Sequence, residues 1–490
     1  MGYLRRKKKF VTREERKRAA YLTASTVVAA LSLVSAGQLQ AQTTTSDAGQ
    51  RLATVNRDPY PSTYVPRPAQ LTALIGATVL DGAGGMIKNG TIIMSDGKIM
   101  SAGADVDIPA GATMVNANGK WVTSGIIDIH SHIGIGPVPS TEASGDGNEA
   151  TSPNTAQVWT EHAVWPQDPA FGRAIAGGVT TQHISVGSAN LFGGRTVVVK
   201  NVPARTTQGM KFPGAKQGVK MACGENPKRV YGDKGGPSTR MASFAGYREA
   251  WYDALQYQYD WDLYDAKVQQ GDPAAKPPKR DLKKETLALA LSGDILVQMH
   301  CYRADEMALV LDMAKEFGYH VATFHHAVEA YKIADLLAEA GTCGAMWSDW
   351  WGFKLESFDG IRENIALVDA AENGCAIVHS DSNVGIQILN QEAAKSMAAG
   401  NRMGLGITKG EAWQWLSLNP ARALQIDEQT GSLEAGKMAD VVIWDGDPFS
   451  VYTRAERVYI DGALTYDRND PNRQFLSDFE VGYVEHGDLQ

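Results

Sequence analysis

Trp121-Val-Thr-Ser-Gly-Ile-Ile-Asp-Ile-His130-Ser-His132-Ile-Gly134 decides the fold. Its apolar run, with Ile126, Ile127 and Ile129, reads as a buried strand that ends in two histidines one residue apart. Residues i and i+2 of a strand point to the same side, so His130 and His132 project together from its C-terminal end. Two neutral imidazoles on one face suit Zn²⁺ or a similar divalent ion. A bare His-x-His is more often a pair of half-exposed strand histidines, and what reverses the odds lies downstream.

The chain has 490 residues, 43% hydrophobic and 21% charged, the values of a globular protein with a large core. A net charge of −8, with no basic stripe carrying interleaved aromatics, argues against a nucleic-acid partner. Residues 1–42 read as a signal peptide: a basic region up to Arg18, an apolar run over 21–36, then Leu39-Gln40-Ala41. The run is too short and too rich in Ala, Ser and Thr to span a membrane stably. The expected destination is the periplasm or the cell exterior, with no membrane insertion after the signal is removed. Cys223, Cys301, Cys343 and Cys375 each sit in an apolar strand-like run and are expected as buried thiols, not a disulfide framework.

Residues 43–70, rich in Thr, Ser, Pro and Arg, read as a linker. From 71 to 122, short β runs alternate with Asp-Gly and Ala-Gly turn signals, and Ser95-Asp96-Gly97-Lys98 is a hairpin turn. From 123 to 427 the pattern switches. Strand-like runs fall at 178–186, 218–224, 294–301, 320–324, 341–347 and 374–378, and helix-like runs at 304–317, 329–339, 361–373 and 409–418. Strands return over 428–470, and 471–490 is a tail. The expected fold is α/β: a distorted (β/α)8 TIM barrel over 123–427, with a small β-sandwich domain built from both chain ends, 71–122 and 428–470.

Several barrel strands end in residues that ligate metal. Val297-Gln-Met-His300 closes one, Ala322-Thr-Phe-His-His326 the next, Ile377-Val-His-Ser-Asp381 the last, and Cys223-Gly-Glu225 adds a carboxylate. In a parallel barrel these ends converge on one rim. Singly, each is as well explained as a core histidine or a helix cap; together and in order they are not independent accidents.

With these motifs in hand, the chain resembles the amidohydrolase superfamily of metal-dependent hydrolases, in its imidazolonepropionase-like and prolidase-like branch. The resemblance rests on Gly125-Ile-Ile-Asp-Ile-His-Ser-His, Gly178-Val-Thr-Thr, the β unit before the first barrel strand, and Glu434-Ala-Gly-Lys-Met-Ala-Asp-Val-Val, and covers residues 71–467. It implies one or two divalent ions, taken as Zn²⁺. His130 and His132 would bind the first, His300 and His326 the second or its water, and Asp381 would bind metal and act as base. The family's bridging ligand is a carboxylated lysine or a glutamate. Glu225 is preferred here, since a carboxylate needs no further chemistry, with Lys220 as the alternative. One strand pleat turns only one of His325 and His326 inward, and His326 is preferred because His326-Ala-Val-Glu-Ala-Tyr-Lys resembles the family's pattern of a histidine followed by a helix start. His183, Tyr302 and Arg303 are candidates for substrate binding, and the loop Trp347-Ser-Asp-Trp-Trp for lining a pocket.

The implied activity is hydrolysis of a C–N bond in an amide, cyclic amide or peptide-like small molecule. Two alternatives stay open: an esterase or phosphotriesterase on the same site, and a non-catalytic binding protein on a hydrolase scaffold. Homo-oligomerisation is compatible with either.

Overall fold

The computed structural model describes residues 58–138 and 140–474, which form a mixed α/β fold. The expected signal segment lies outside the described residues. Among those residues no helix is long and apolar enough to cross a membrane.

Five strands come first: β1 (Thr72–Leu80), β2 (Met86–Ser95), β3 (Lys98–Gly103), β4 (Thr113–Asn116) and β5 (Trp121–Ser124). The β2–β3 hairpin turns through Asp96 and Gly97 with φ of 51° and 76°, so that Ser95 pairs with Lys98. Positive φ at both central residues is what a two-residue hairpin loop requires, and Asp-Gly supplies it.

The central strands are β6 (Ile126–Ser131), β7 (Val179–Ile184), β8 (Phe192–Arg195), β9 (Val197–Lys200), β10 (Gly218–Ala222), β11 (Leu296–His300), β12 (Val321–His325), β13 (Cys343–Met346) and β14 (Ala376–Val378). From β10 to β14 they are parallel neighbours in chain order, extended at one edge by antiparallel β8. β6, β7 and β9 form a separate three-stranded sheet. Parallel neighbours need crossovers, and helices supply them. Ala304–Phe317 is typical, burying Met307, Val310, Leu311, Ala314 and Phe317 at helical spacing and stopping where Gly318 takes φ +77°.

The last strands, β15 (Val441–Trp444), β16 (Ala455–Ile460) and β17 (Ala463–Asp467), join the first five in one eight-stranded sheet, with β15 antiparallel to β5. Leu74, Val79, Ile92, Val122, Val441 and Ile443 make its apolar core.

The expectation of free thiols is overturned. Cys223 is bonded to Cys301 and Cys343 to Cys375, with Cα–Cα distances of 5.2 and 4.6 Å. Strand register is the cause. Ala222 lies opposite His300, which sets the next residues, Cys223 and Cys301, side by side; Gly344 opposite Ala376 does the same for Cys343 and Cys375. Sequence separations of 78 and 32 carry no trace of that neighbourhood.

A buried charge cluster ties β9 to the terminal sheet. The Lys200 ammonium, with no exposed surface, lies 3.1 Å from Asp440 and 2.7 Å from Asp461. Asp440 also accepts from Thr430, and Asp461 from Tyr64. Removing one partner of a buried pair leaves the rest uncompensated, at a cost of about 3–5 kcal/mol. Lys200→Met is therefore expected to lower unfolding stability by about that amount in urea titrations. Adding Asp440→Asn and Asp461→Asn should recover a large part of the loss, and a single-variant loss below about 1 kcal/mol would contradict this account.

Candidate functional site

The first and last central strands are clamped at their C-terminal ends by a buried carboxylate. Asp128 accepts from the backbone N–H of His130 and of Ser380, at 3.2 and 3.1 Å, and from the Ser380 hydroxyl. Beside it, the Asp381 N–H donates to the His130 carbonyl at 3.0 Å. These contacts bring Asp381 next to the two histidines of β6. Its Oδ1 lies 3.5 Å from His130 Nε2 and 3.1 Å from His132 Nε2. Ligand atoms of His130, His132 and Asp381 all fall within 4.8 Å of one another.

Strand register supplies the rest. Lys220 on β10, His300 on β11 and His325 on β12 alternate toward the same interior, and Lys220 Nζ lies 3.4 Å from His130 Nε2. His326 would face away if the pleat continued. It instead takes φ +59°, uncommon for a residue with a side chain, and this turns its ring inward beside His325. Its Nδ1 lies 3.9 Å from Asp381 Oδ2, and its ring is 4.8 Å from that of His300. Asp381 also takes a positive φ, 49°. The site thus holds both His325 and His326, where the pleat alone allows one.

Glu225 goes elsewhere. It lies past the end of β10, beyond Gly224 at φ +75°, and opens the helix Glu225–Tyr231, where its carboxylate sits 3.3 Å from Lys354 Nζ. His183 is buried with both ring nitrogens engaged, by the Ile129 carbonyl at 2.8 Å and Thr196 Oγ1 at 2.7 Å. Arg303 is turned to Asp305 at 2.9 Å. Tyr302 packs edge-on against His300, with ring centroids 4.6 Å apart, and carries Lys354 Nζ 4.5 Å over its face. Trp347 stacks on His326 at 4.4 Å. Asp128 was visible in the motif before the histidines, but only as one more strand residue; nothing local marks it as the clamp.

Electrostatics favours metal-binding protonation states. Burial, reinforced by Lys220 and neighbouring imidazoles, pushes His130, His300, His325 and His326 well below the usual histidine range, so they are neutral at pH 7. Burial lowers Lys220 to about 7. Burial alone would raise the Asp381 carboxyl, but the His132 hydrogen bond and the surrounding His132, His379 and Lys220 charges hold it below its ordinary value.

A divalent cation fits this donor set. Both ring nitrogens of His300 and Nδ1 of His326 are buried without a hydrogen-bond partner among the described residues. Leaving such atoms unsatisfied costs about 1–3 kcal/mol each. Imidazole nitrogens next to a carboxylate are the ligands that zinc-like ions take.

The amidohydrolase family model matches residues 267–481. The crystal structure of an amidohydrolase from Thermotoga maritima superposes with a TM-score of 0.73 at 33% identity, covering 81% of this chain and 100% of that one. The chain belongs to the amidohydrolase family. Amidohydrolase tasK of Hapsidospora irregularis is 30% identical over 403 residues, 78% of this chain but 40% of that protein, so the chain spans well under half of that relative. Imidazolonepropionase of Mesorhizobium japonicum is 26% identical over 418 residues, 75% of this chain and 90% of that one. Amidohydrolases generally depend on divalent metal, in keeping with the His130, His132 and Asp381 cluster.

Proposed function

We propose that the chain is an exported, metal-dependent hydrolase that cleaves a C–N bond in an amide, cyclic amide or peptide-like small molecule. The observation that carries this reading is the group of buried, neutral imidazoles with unpartnered nitrogens beside His130, His132 and Asp381. The amidohydrolase and imidazolonepropionase relatives support the bond type. We read the two central sheets as arcs of one distorted (β/α)8 barrel. In support, β8 and β9, separated only by Thr196, each belong to a different arc, and the Asp381 N–H bonds His130 across the other junction. The flanking domain reads as a sandwich, since β1 pairs its first half with β4 and its second with β5. Export is supported by the basic-then-apolar N-terminal sequence and by two disulfides, which persist in oxidising compartments.

In this reading His130, His132 and Asp381 would hold one divalent cation, taken as Zn²⁺, and His300 and His326 would hold a second. Lys220, close to His130, would supply the anionic ligand in place of Glu225, whose carboxylate is taken up by Lys354. With its ammonium destabilised by burial, the free amine of Lys220 adds to CO₂, forming an N–C bond and releasing one proton. The product is the carbamate, an anion of the kind two adjacent cations need between them. A bound divalent cation would lower the pKa of water toward about 7 and polarise a substrate carbonyl. Asp381 accepts the proton of the attacking water and delivers it to the departing nitrogen. Trp347 and Tyr302, packed on His326 and His300, wall the substrate side.

The deciding assay is a panel of dipeptides, N-acyl amino acids, cyclic amides, esters and a phosphotriester with the Zn²⁺-loaded protein. Turnover confined to the oxygen esters would sink the C–N reading. Asp381→Asn should retain the fold while kcat falls about 10²–10⁴-fold, because an amide accepts no proton at neutral pH; near-normal turnover would remove Asp381 from the base role.

Metal per chain separates the two bridging candidates. Lys220→Ala is expected to lose metal and to regain it with a short carboxylic acid that fills the vacated space, whereas Glu225→Ala keeps its metal. The reverse pattern would restore Glu225. Export is tested by fractionation and N-terminal sequencing: mature protein should begin near Gln42 or Thr43, and recovery of Met1 from an exported fraction would refute cleavage.

A further inference from the structure

His325 is buried among ligand candidates, yet its two ring nitrogens face groups of the chain itself. Nδ1 lies 2.8 Å from His130 Nδ1, and Nε2 lies 2.8 Å from the Gln298 side-chain oxygen. His130, His325 and Gln298 have no exposed surface, and both contacts are direct. We infer that His325 and Gln298 are positioning residues that fix which nitrogen of His130 carries the hydrogen, and so hold Nε2 of His130 open for a metal ion. The inference rests on the metal-dependent reading of the site.

Hydrogen accounting carries it. Two neutral ring nitrogens 2.8 Å apart share one hydrogen: one donates, the other accepts. The Gln298 oxygen is an acceptor, so His325 Nε2 must bear the hydrogen that it receives. A neutral His325 then has a bare Nδ1, which can only accept. His130 Nδ1 therefore donates, and His130 Nε2, the nitrogen facing Asp381 and Lys220, keeps its lone pair. Reversing the chain would set two lone pairs against each other at His325 and Gln298 and would aim an N–H of His130 into the site. Ligating histidines commonly donate their second N–H to a carboxylate, carbonyl or water. His132 follows that pattern, with Nδ1 2.7 Å from the Ser185 carbonyl. His130 instead relies on two side chains, and both can be changed without touching a proposed ligand.

The test measures metal binding without substrate. Gln298→Leu removes the acceptor at similar volume, and His325→Phe removes the relay ring. Chelator competition with Zn²⁺ should find affinity about 10–100-fold weaker in both, with unchanged metal per chain and unchanged circular dichroism. Affinity within threefold of the parent in both would overturn the proposal. So would loss of a whole equivalent of metal in His325→Phe with Gln298→Leu silent, since His325 would then itself be a ligand. The parent protein gives a reading independent of variant folding. In ¹⁵N-histidine-labelled, Zn²⁺-loaded protein His130 should carry its hydrogen on Nδ1, and a hydrogen on Nε2 would refute the relay. A parent chain that binds no divalent cation would sink the metal reading itself.

Discussion

The contact on which the site depends is the carboxylate of Asp128, fully buried at the seam between β6 and the residues after β14. Burial pushes this carboxyl up and the three hydrogen bonds from His130 and Ser380 oppose that push, leaving it at about 6. The energetic demand of this buried anion fixes the geometry. Satisfying it sets the two strand ends at one separation, and that separation brings Asp381 against His130 and His132. The ligand cluster is thus a consequence of strand closure, and its precision comes from a residue that is not itself one of the proposed ligands.

Around the clamp the structure accepts local disadvantage. His326 and Asp381 sit at positive φ, and buried ring nitrogens of His300, His326 and His379 lack hydrogen-bond partners among the described residues. Each departure costs of order 1–3 kcal/mol, and such departures gather at functional sites. They are compensated in the layers beneath, where β-strands are buried on both faces and two disulfides and the Lys200 cluster brace the scaffold.

Much of this was legible in the sequence for physical reasons. Apolar runs ending in histidine mark buried strands, and the helix over Ala304–Phe317 has the expected bounds because its apolar spacing and terminal glycine state them openly. What could not be read depends on the third dimension. The facing of Cys223 with Cys301 is a matter of register between strands distant in the chain. The inward turn of both His325 and His326 needs a positive φ that histidine does not announce. The preference for Glu225 over Lys220 rested on the chemistry of a carboxylate and not on its position, and Gly224 ends the extended chain so that Glu225 opens a helix.

The Lys200 cluster also orders events in time. Its ammonium is made early, on β9, while Asp440 and Asp461 follow 240 and 261 residues later. Until they emerge from the ribosome, this charge has no buried partners, and burying it alone would cost several kcal/mol. Burial of Lys200 with its partners therefore has to await the terminal sheet. A nascent chain that cannot lock its first half is one that remains threadable, and the last strands to be made act as the bolt.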